Sequence, residues 1–195
     1  MLNKLSNAVS TWLVNQKVIK TSEDDLYSYA FYSLIFGLAP VVIVIILGLL
    51  FNMLSEALIF IIPFMVIRKF SGGFHLKKPG ICVVCSTLLL SFSLGVIKYV
   101  ISFEQSAVLT ACVIISALIV FLFSPIDSEA RKLSLKEKNF FGTTAKVLII
   151  FFSVVYFTTL LLSPIQISSS IGVGIVLVAT LQLPCLIKKD VANSI

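Results

Sequence analysis

The sequence predicts an all-α, polytopic integral membrane protein with about six transmembrane helices and an N-terminal amphipathic interfacial helix. Of its 195 residues, 58% are hydrophobic and only 12% are charged, and the mean hydropathy is +1.09. Soluble domains carry about 25% charged residues, whereas repeated apolar runs of roughly 18 or more residues are typical of transmembrane helices. These observations exclude an ordinary soluble enzyme, a fibrous protein and a disordered chain.

Residues 1–20 predict the interfacial helix. Apolar side chains recur there at steps of three and four, with polar residues between them, at Leu2, Leu5, Val9, Trp12 and Leu13. This pattern favours a helix that lies in the membrane surface rather than one that crosses the bilayer. A helix packed on a soluble loop is the alternative.

Six apolar segments follow, and with the first helix they form a single membrane domain over 1–195. The predicted spans lie at about 30–51, 54–67, 81–101, 106–123, 145–163 and 167–187. Six spans of about 20 residues use most of the chain. Any chemistry must therefore occur in short loops or at helix ends.

The basic residues predict the topology. Of the 15 Lys and Arg residues, all but Lys98 fall on one side of this arrangement. The positive-inside rule then places both termini and the loops 68–80 and 124–146 in the cytoplasm. The loop 124–146 is either a solvated, topology-setting segment or a basic surface that holds an acidic peptide or anionic lipid.

The segment most indicative of chemistry runs from residue 68 to residue 86, RKFSGGFHLKKPGICVVCS. It contains the single histidine of the chain, His75, and two of its four cysteines, Cys82 and Cys85. Pro79 suits the first turn of a helix, which places Cys82 about one turn inside that helix. Unpaired N–H groups and the positive end of the helix dipole stabilise a thiolate there, whereas Cys85 is expected to be deeper.

A thiolate beside an imidazole is the usual pairing for acyl transfer, with the cysteine as nucleophile and the histidine as proton carrier. The predicted catalytic loop is therefore 68–82. Other interpretations stay open: a membrane thiol redox protein that uses Cys82 and Cys85, an incomplete metal site with His75, or a peptide or lipid transporter or scaffold without chemistry.

The remaining residues near this loop have simpler interpretations. Arg68 is also explained as an interfacial anchor, and Cys112 and Cys185 are predicted to be buried and inert. The group that orients His75 is undecided. Asp127, Glu129 or a backbone carbonyl are candidates, whereas Glu56 is expected at the opposite face.

The same segment resembles the accessory gene regulator B (AgrB) family of membrane cysteine endopeptidases. The family pattern is an arginine, a glycine-rich turn, a histidine, and a cysteine seven positions after the histidine. It is matched here by Arg68, Gly72, Gly73, His75 and Cys82. Chain length, the six apolar segments and the polar SPID sequence after the fourth span are also similar to the family, and Cys85 is an additional thiol.

The resemblance implies a function in quorum sensing. The enzyme would sit in the cell membrane of a Gram-positive bacterium, with its site at the cytoplasmic face, and cleave the acidic C-terminal tail from a short AgrD-like autoinducer propeptide. His75 and Cys82 would form a Cys-His dyad, and a thioester on Cys82 would lead to a thiolactone or lactone signal peptide.

The resemblance also bears on partners and cofactors. It implies no cofactor and no metal, and it suggests a homodimer in the lipid membrane, with no nucleic acid as partner. The candidate substrate-binding or supporting residues are Arg68, Gly72, Gly73, Lys77, Lys78, Arg131, Lys132, Lys136 and Lys138.

Overall fold

The computed structural model describes residues 2–73, 79–126 and 134–193, with the side chains of all but residues 2–5, 79 and 188–193 of these. The described residues form seven α-helices, which confirms the all-α prediction. Their bounds are α1 (Leu2–Asn15), α2 (Asp24–Leu50), α3 (Leu54–Ser71), α4 (Pro79–Phe103), α5 (Ser106–Phe123), α6 (Leu135–Leu162) and α7 (Ile165–Asn193).

Within the described part of the chain, five segments are long and apolar enough to cross a membrane. They are Thr21–Leu50, Gly80–Phe103, Ser106–Phe123, Leu135–Leu162 and Ile165–Ile187. The remaining predicted span, the second at about 54–67, corresponds to α3, which has 18 residues and carries Glu56, Arg68 and Lys69. The chain is therefore a multi-pass membrane protein, with a count of spans close to the predicted six.

The chain divides into two compact units, residues 1–43 and residues 44–195, and α2 runs across the division. In the first unit, α1 buries Ser6 and Ser10, while Trp12 is 58% exposed. The Ser28 hydroxyl donates a hydrogen bond to the Asn7 side chain, which ties α1 to the start of α2. The position of α1 in the membrane surface stays a prediction.

In the second unit, α7 is the central helix. It contacts α3, α4, α5 and α6, and 56% of its apolar stretch is buried, compared with at most 22% for the other candidate spans. Glycines allow neighbouring helices to approach α7 closely. Gly172 lies against the Tyr156 ring of α6, and Gly174 lies against the backbone of α3. The Tyr156 hydroxyl, which shares a 2.8 Å hydrogen bond with Thr110, is satisfied inside the bundle.

The sequence predicted a loop over the whole of 124–146, but part of this segment is helical. Helix α6 begins at Leu135, eleven residues before the expected end of that loop. Ser134 and Glu137 start it with a reciprocal pair of hydrogen bonds: the Ser134 backbone N–H donates to Glu137 Oε2 at 2.9 Å, and the Glu137 N–H donates to Ser134 Oγ at 3.3 Å. Such a capping box satisfies the free N–H groups of a helix start even in a polar sequence.

Replacing Gly174 by alanine will destabilise the bundle. An added Cβ would lie 2.8 Å from the Phe60 carbonyl oxygen and 2.9 Å from Pro63 Cγ, and neither group is the end of a flexible side chain. Overpacking of this kind costs about 1–3 kcal/mol, which corresponds to a melting temperature lower by roughly 3–10 °C for a chain of this size. Circular dichroism of the protein in detergent during heating measures it.

Gly95→Ala is the matched control, because nothing lies within 4 Å of a Cβ at Gly95 on α4. Its melting temperature should equal or exceed that of the unchanged protein. Equal melting temperatures for the two variants would contradict close packing between α3 and α7.

Candidate functional site

Helix α3 ends in a turn that only glycine accommodates. The Gly72 N–H donates to the Arg68 carbonyl at 3.2 Å, and Gly72 adopts φ 74° and ψ −162°. Gly73 follows with φ 141°. This combination at Gly72 lies in a backbone region that is essentially restricted to glycine. The glycine-rich turn predicted from the sequence therefore ends α3 with two glycines at positive φ.

The turn pairs with the segment that follows α5. Gly72 forms a parallel β-bridge with Ile126, and the Ile126 N–H donates to the Ser71 carbonyl at 3.0 Å. A Cβ at Gly72 would collide with the Ile126 carbonyl oxygen. Two segments that are more than fifty residues apart in sequence therefore meet at one end of the bundle.

Helix α7 supplies the side chain that joins these two segments. Gln182 is fully buried, and its Nε2 donates to the Ser71 carbonyl at 3.2 Å and to Ser124 Oγ at 3.0 Å. Sequence reasoning missed Gln182, Ser71 and Ser124. The available signal was an amide side chain inside a predicted span, because polar groups at such positions are costly unless they have a partner.

Arg68 lies on the inner side of the same turn. Its Nη1 atom is buried, it would be 2.8 Å from a Cβ at Gly73, and its guanidinium carbon is 5.9 Å from the centre of the Phe64 ring. Burial lowers the pKa of the Arg68 guanidinium, and the charges of Cys82 and Cys185 oppose that shift. Arg68 thus lies partly buried beside the glycine turn at the end of α3.

Cys82 occupies the predicted position in its helix. Helix α4 begins at Pro79, so Cys82 lies in its first turn, where backbone N–H groups lack partners within the helix. Cys82 and Cys85 are both half-buried. The expected difference in burial between these two thiols is therefore not seen.

The other two cysteines differ from their predicted burial. Cys112 is exposed on the surface of α5, so the prediction of a buried Cys112 is wrong. Apolar spans present a large apolar surface to lipid, and burial in protein does not follow from their composition. Cys185 is half-buried on α7.

Several predicted residues lie outside the described residues. They are His75, Lys77, Lys78, Asp127, Glu129, Arg131 and Lys132. Of the other basic candidates, Lys136 is exposed and Lys138 is half-buried, and both lie in the first turn of α6. Glu56 lies in the first turn of α3 and Arg68 in its last. At 1.5 Å per residue they are separated by about 18 Å along the helix, so Glu56 is remote from this end of the bundle.

A comparison with known proteins decides the family. The family model described as Accessory gene regulator B matches residues 6–183. The chain belongs to the AgrB family.

Two AgrB-like proteins from Clostridium perfringens agree with this assignment. An AgrB-like protein of strain SM101 is 26% identical over 145 residues, which cover 71% of this chain and 67% of the relative. AgrB-like protein 2 of strain 13 shows the same identity and coverage. No solved structure matches the chain. Membership of the AgrB family connects the chain to quorum-sensing peptide processing and implies an AgrD-type propeptide as substrate.

Replacing Gly72 by alanine will disrupt the turn at the end of α3. The φ of 74° strains any residue with a Cβ, and that Cβ would also collide with the Ile126 carbonyl. The combined loss is about 2–4 kcal/mol. Thermal unfolding in detergent and the yield of monodisperse protein measure it.

Gly80→Ala serves as the control, since Gly80 is exposed in the first turn of α4 and a Cβ there meets nothing within 4 Å. If Gly72→Ala melted at the temperature of the control, the described turn would not be required for the fold.

Proposed function

We propose that this AgrB-family chain is a membrane cysteine endopeptidase that removes the C-terminal tail of an AgrD-type autoinducer propeptide. The proposal depends above all on one observation: Cys82 lies in the first turn of α4, where backbone N–H groups lack partners within the helix. A cysteine at a helix N-terminus is suited to act as a nucleophile, because the positive end of the helix dipole favours an anion there. Cys82 is therefore the proposed nucleophile.

The proposed reaction has two acyl transfers. The Cys82 sulfur attacks the carbonyl carbon of the peptide bond that joins the signal segment to the tail, and His75 accepts the thiol proton. The C–N bond then breaks, the same proton passes to the leaving amine, and the signal segment stays on Cys82 as a thioester. A cysteine or serine side chain of the propeptide then attacks the thioester carbonyl and gives its proton to His75. The bond between the acyl carbon and the Cys82 sulfur breaks, a thiolactone or lactone ring closes, and the Cys82 sulfur takes the proton back from His75.

The first backbone N–H groups of α4 are suited to stabilise the negative oxygen that forms during each acyl transfer. The tetrahedral intermediate of each transfer carries a negative oxygen, and the first N–H groups of a helix point toward such a charge with no partner of their own. Half-burial of Cys82 limits access of water to the thioester. Ring closure by a side chain of the same peptide then competes well with hydrolysis.

We further propose that the site lies at the cytoplasmic face of the cell membrane, with both termini in the cytoplasm and α1 in the membrane surface. The distribution of Lys and Arg residues supports this topology. The basic residues of the two polar segments would then attract the acidic tail of the propeptide, and exposed Lys136 in the first turn of α6 is one of them.

Intact-mass spectrometry of the protein in lipid with a propeptide tests the chemistry. Wild type should release a C-terminal tail and gain the mass of the remaining peptide as a thioester. Cys82→Ala and His75→Ala should lose tail release by roughly 10³-fold or more, because each removes a group that forms or breaks a bond.

Cys85→Ala is the matched control, since Cys85 is a half-buried thiol one helical turn further along α4. It should release the tail at a rate close to that of wild type. A requirement for both cysteines, with a disulfide after mild oxidation, would instead identify a thiol redox protein. Binding without cleavage by all variants would identify a carrier or scaffold.

Charge neutralisation tests how the acidic tail is held. Replacing Lys136 by glutamine, alone or together with Lys77, Lys78, Arg131, Lys132 and Lys138, should weaken propeptide binding and flatten its dependence on salt. Fluorescence anisotropy of a labelled propeptide at several salt concentrations measures both. Lys98→Gln is the control, because Lys98 is predicted on the opposite side of the membrane. An unchanged affinity and salt slope in the multiple variant would remove these residues from substrate binding.

A further inference from the structure

We propose that Gln182 is a positioning residue: its side-chain amide holds the turn Ser71–Gly73, and this turn packs against the Arg68 guanidinium and limits where it can lie. The proposal rests on the proposed function only in treating Cys82 as the nucleophile. The contacts that support it lie entirely within the described residues.

The first step is the pair of hydrogen bonds that Gln182 donates. Both go to segments outside α7, one to the Ser71 carbonyl at 3.2 Å and one to Ser124 Oγ at 3.0 Å. Other polar side chains of α7 bond within their own helix. Ser168 donates to the Ile165 carbonyl, Ser170 to Gln166 and Thr180 to Leu177. Gln182 therefore acts between elements, whereas these hydroxyls do not.

Burying the polar amide of Gln182 costs free energy, which the two donated hydrogen bonds offset in part. Gln182 is fully buried, and its Oε1 has no hydrogen-bond partner among the described residues. An unsatisfied buried polar atom costs about 1–3 kcal/mol. A leucine or methionine would fill the same space without that cost, so the two donated bonds offer the physical reason for an amide here.

The second step runs through the glycine turn. The Ser71 carbonyl that accepts from Gln182 also accepts from the Ile126 N–H. Gly73, two residues on, fits so closely that a Cβ there would lie 2.8 Å from Arg68 Nη1 and 3.3 Å from the Leu181 carbonyl. Leu181 directly precedes Gln182. Helix α7 therefore bonds to the turn at Ser71 and lies against it at Gly73. This close packing limits where the Arg68 guanidinium can lie.

The third step is electrostatic. Burial lowers the pKa of Arg68, and Cys82 on α4 and Cys185 on α7 oppose that shift. In general, a guanidinium near a cysteine favours the thiolate form, which is the form that reacts with electrophiles. Release of the turn would give the long arginine side chain a wider range of rotamers and weaken any such effect.

Alkylation by iodoacetamide tests the proposal without any propeptide. Peptide mapping by mass spectrometry follows the alkylation rates of Cys82 and Cys85 separately in the full-length protein in lipid. Gln182→Met and Arg68→Gln should each slow alkylation of Cys82 by about three- to ten-fold and leave that of Cys85 unchanged. Because Gln182 acts through Arg68, the double variant should be no slower than Arg68→Gln alone.

Three controls separate positioning from packing. Gly174→Ala destabilises the bundle about 12 Å from Gln182 along α7, without removing either hydrogen bond of Gln182, and should leave the Cys82 rate unchanged. Ser124→Ala removes one acceptor of Gln182 and gives a second variant with a smaller effect if Gln182→Met does not fold. Ser170→Ala removes a buried hydroxyl of α7 that bonds only within its helix, and its Cys82 rate should match wild type.

The proposal is overturned if Gln182→Met, or Ser124→Ala in its place, alkylates Cys82 at the wild-type rate. It is equally overturned if the effects of Gln182→Met and Arg68→Gln multiply, or if Gly174→Ala slows Cys82 to the same extent. In the tail-release assay, Gln182→Met should lower kcat and leave KM within about two-fold. If wild type releases no tail, the proposed function fails, and the alkylation rates still decide the role of Gln182.

Discussion

The amide of Gln182 is the interaction that holds together the end of the bundle at which the chemistry is proposed. A single side chain from α7 satisfies the carbonyl that closes α3 and the hydroxyl that follows α5. Helices α3 and α5 are not consecutive in the sequence, and both pack on α7. Directional hydrogen bonds fix their positions along the α7 axis, which dispersion contacts between apolar side chains do less well.

Burial explains why these bonds are so concentrated, since Ser71 and Ser124 are both buried. Buried backbone groups need hydrogen-bond partners from the protein, because water does not reach them. The segments Ser71–Gly73 and Ser124–Ile126 meet this requirement partly through one another, because the Ile126 N–H donates to the Ser71 carbonyl, and the Gly72 N–H donates to the Arg68 carbonyl of α3. Their close approach in turn requires glycine at position 72. The glycine-rich turn is thus explained by backbone satisfaction, independently of any catalytic role.

The spanning helices and the position of Cys82 in its helix could be predicted from composition and local sequence signals. Long apolar runs identified the spanning helices, and Pro79 marked the start of α4, which placed Cys82 in a first turn. Contacts between distant segments were not accessible in the same way. Nothing local indicates that Gln182 reaches Ser71, since that contact follows from how α7 packs. The start of α6 at Leu135 was missed because its capping box lies in a polar sequence without apolar periodicity.

The position of Arg68 connects the fold to the proposed chemistry. A guanidinium that loses water is destabilised by burial, and that effect lowers its pKa here. Nearby negative charge reverses part of this cost, and a cysteine can supply such charge only as a thiolate. In the proposed cycle, the Cys82 sulfur carries no charge while it forms the thioester. Attack on the thioester releases that sulfur as an anion, so a guanidinium at the end of α3 would favour the release of the nucleophile at the end of the cycle.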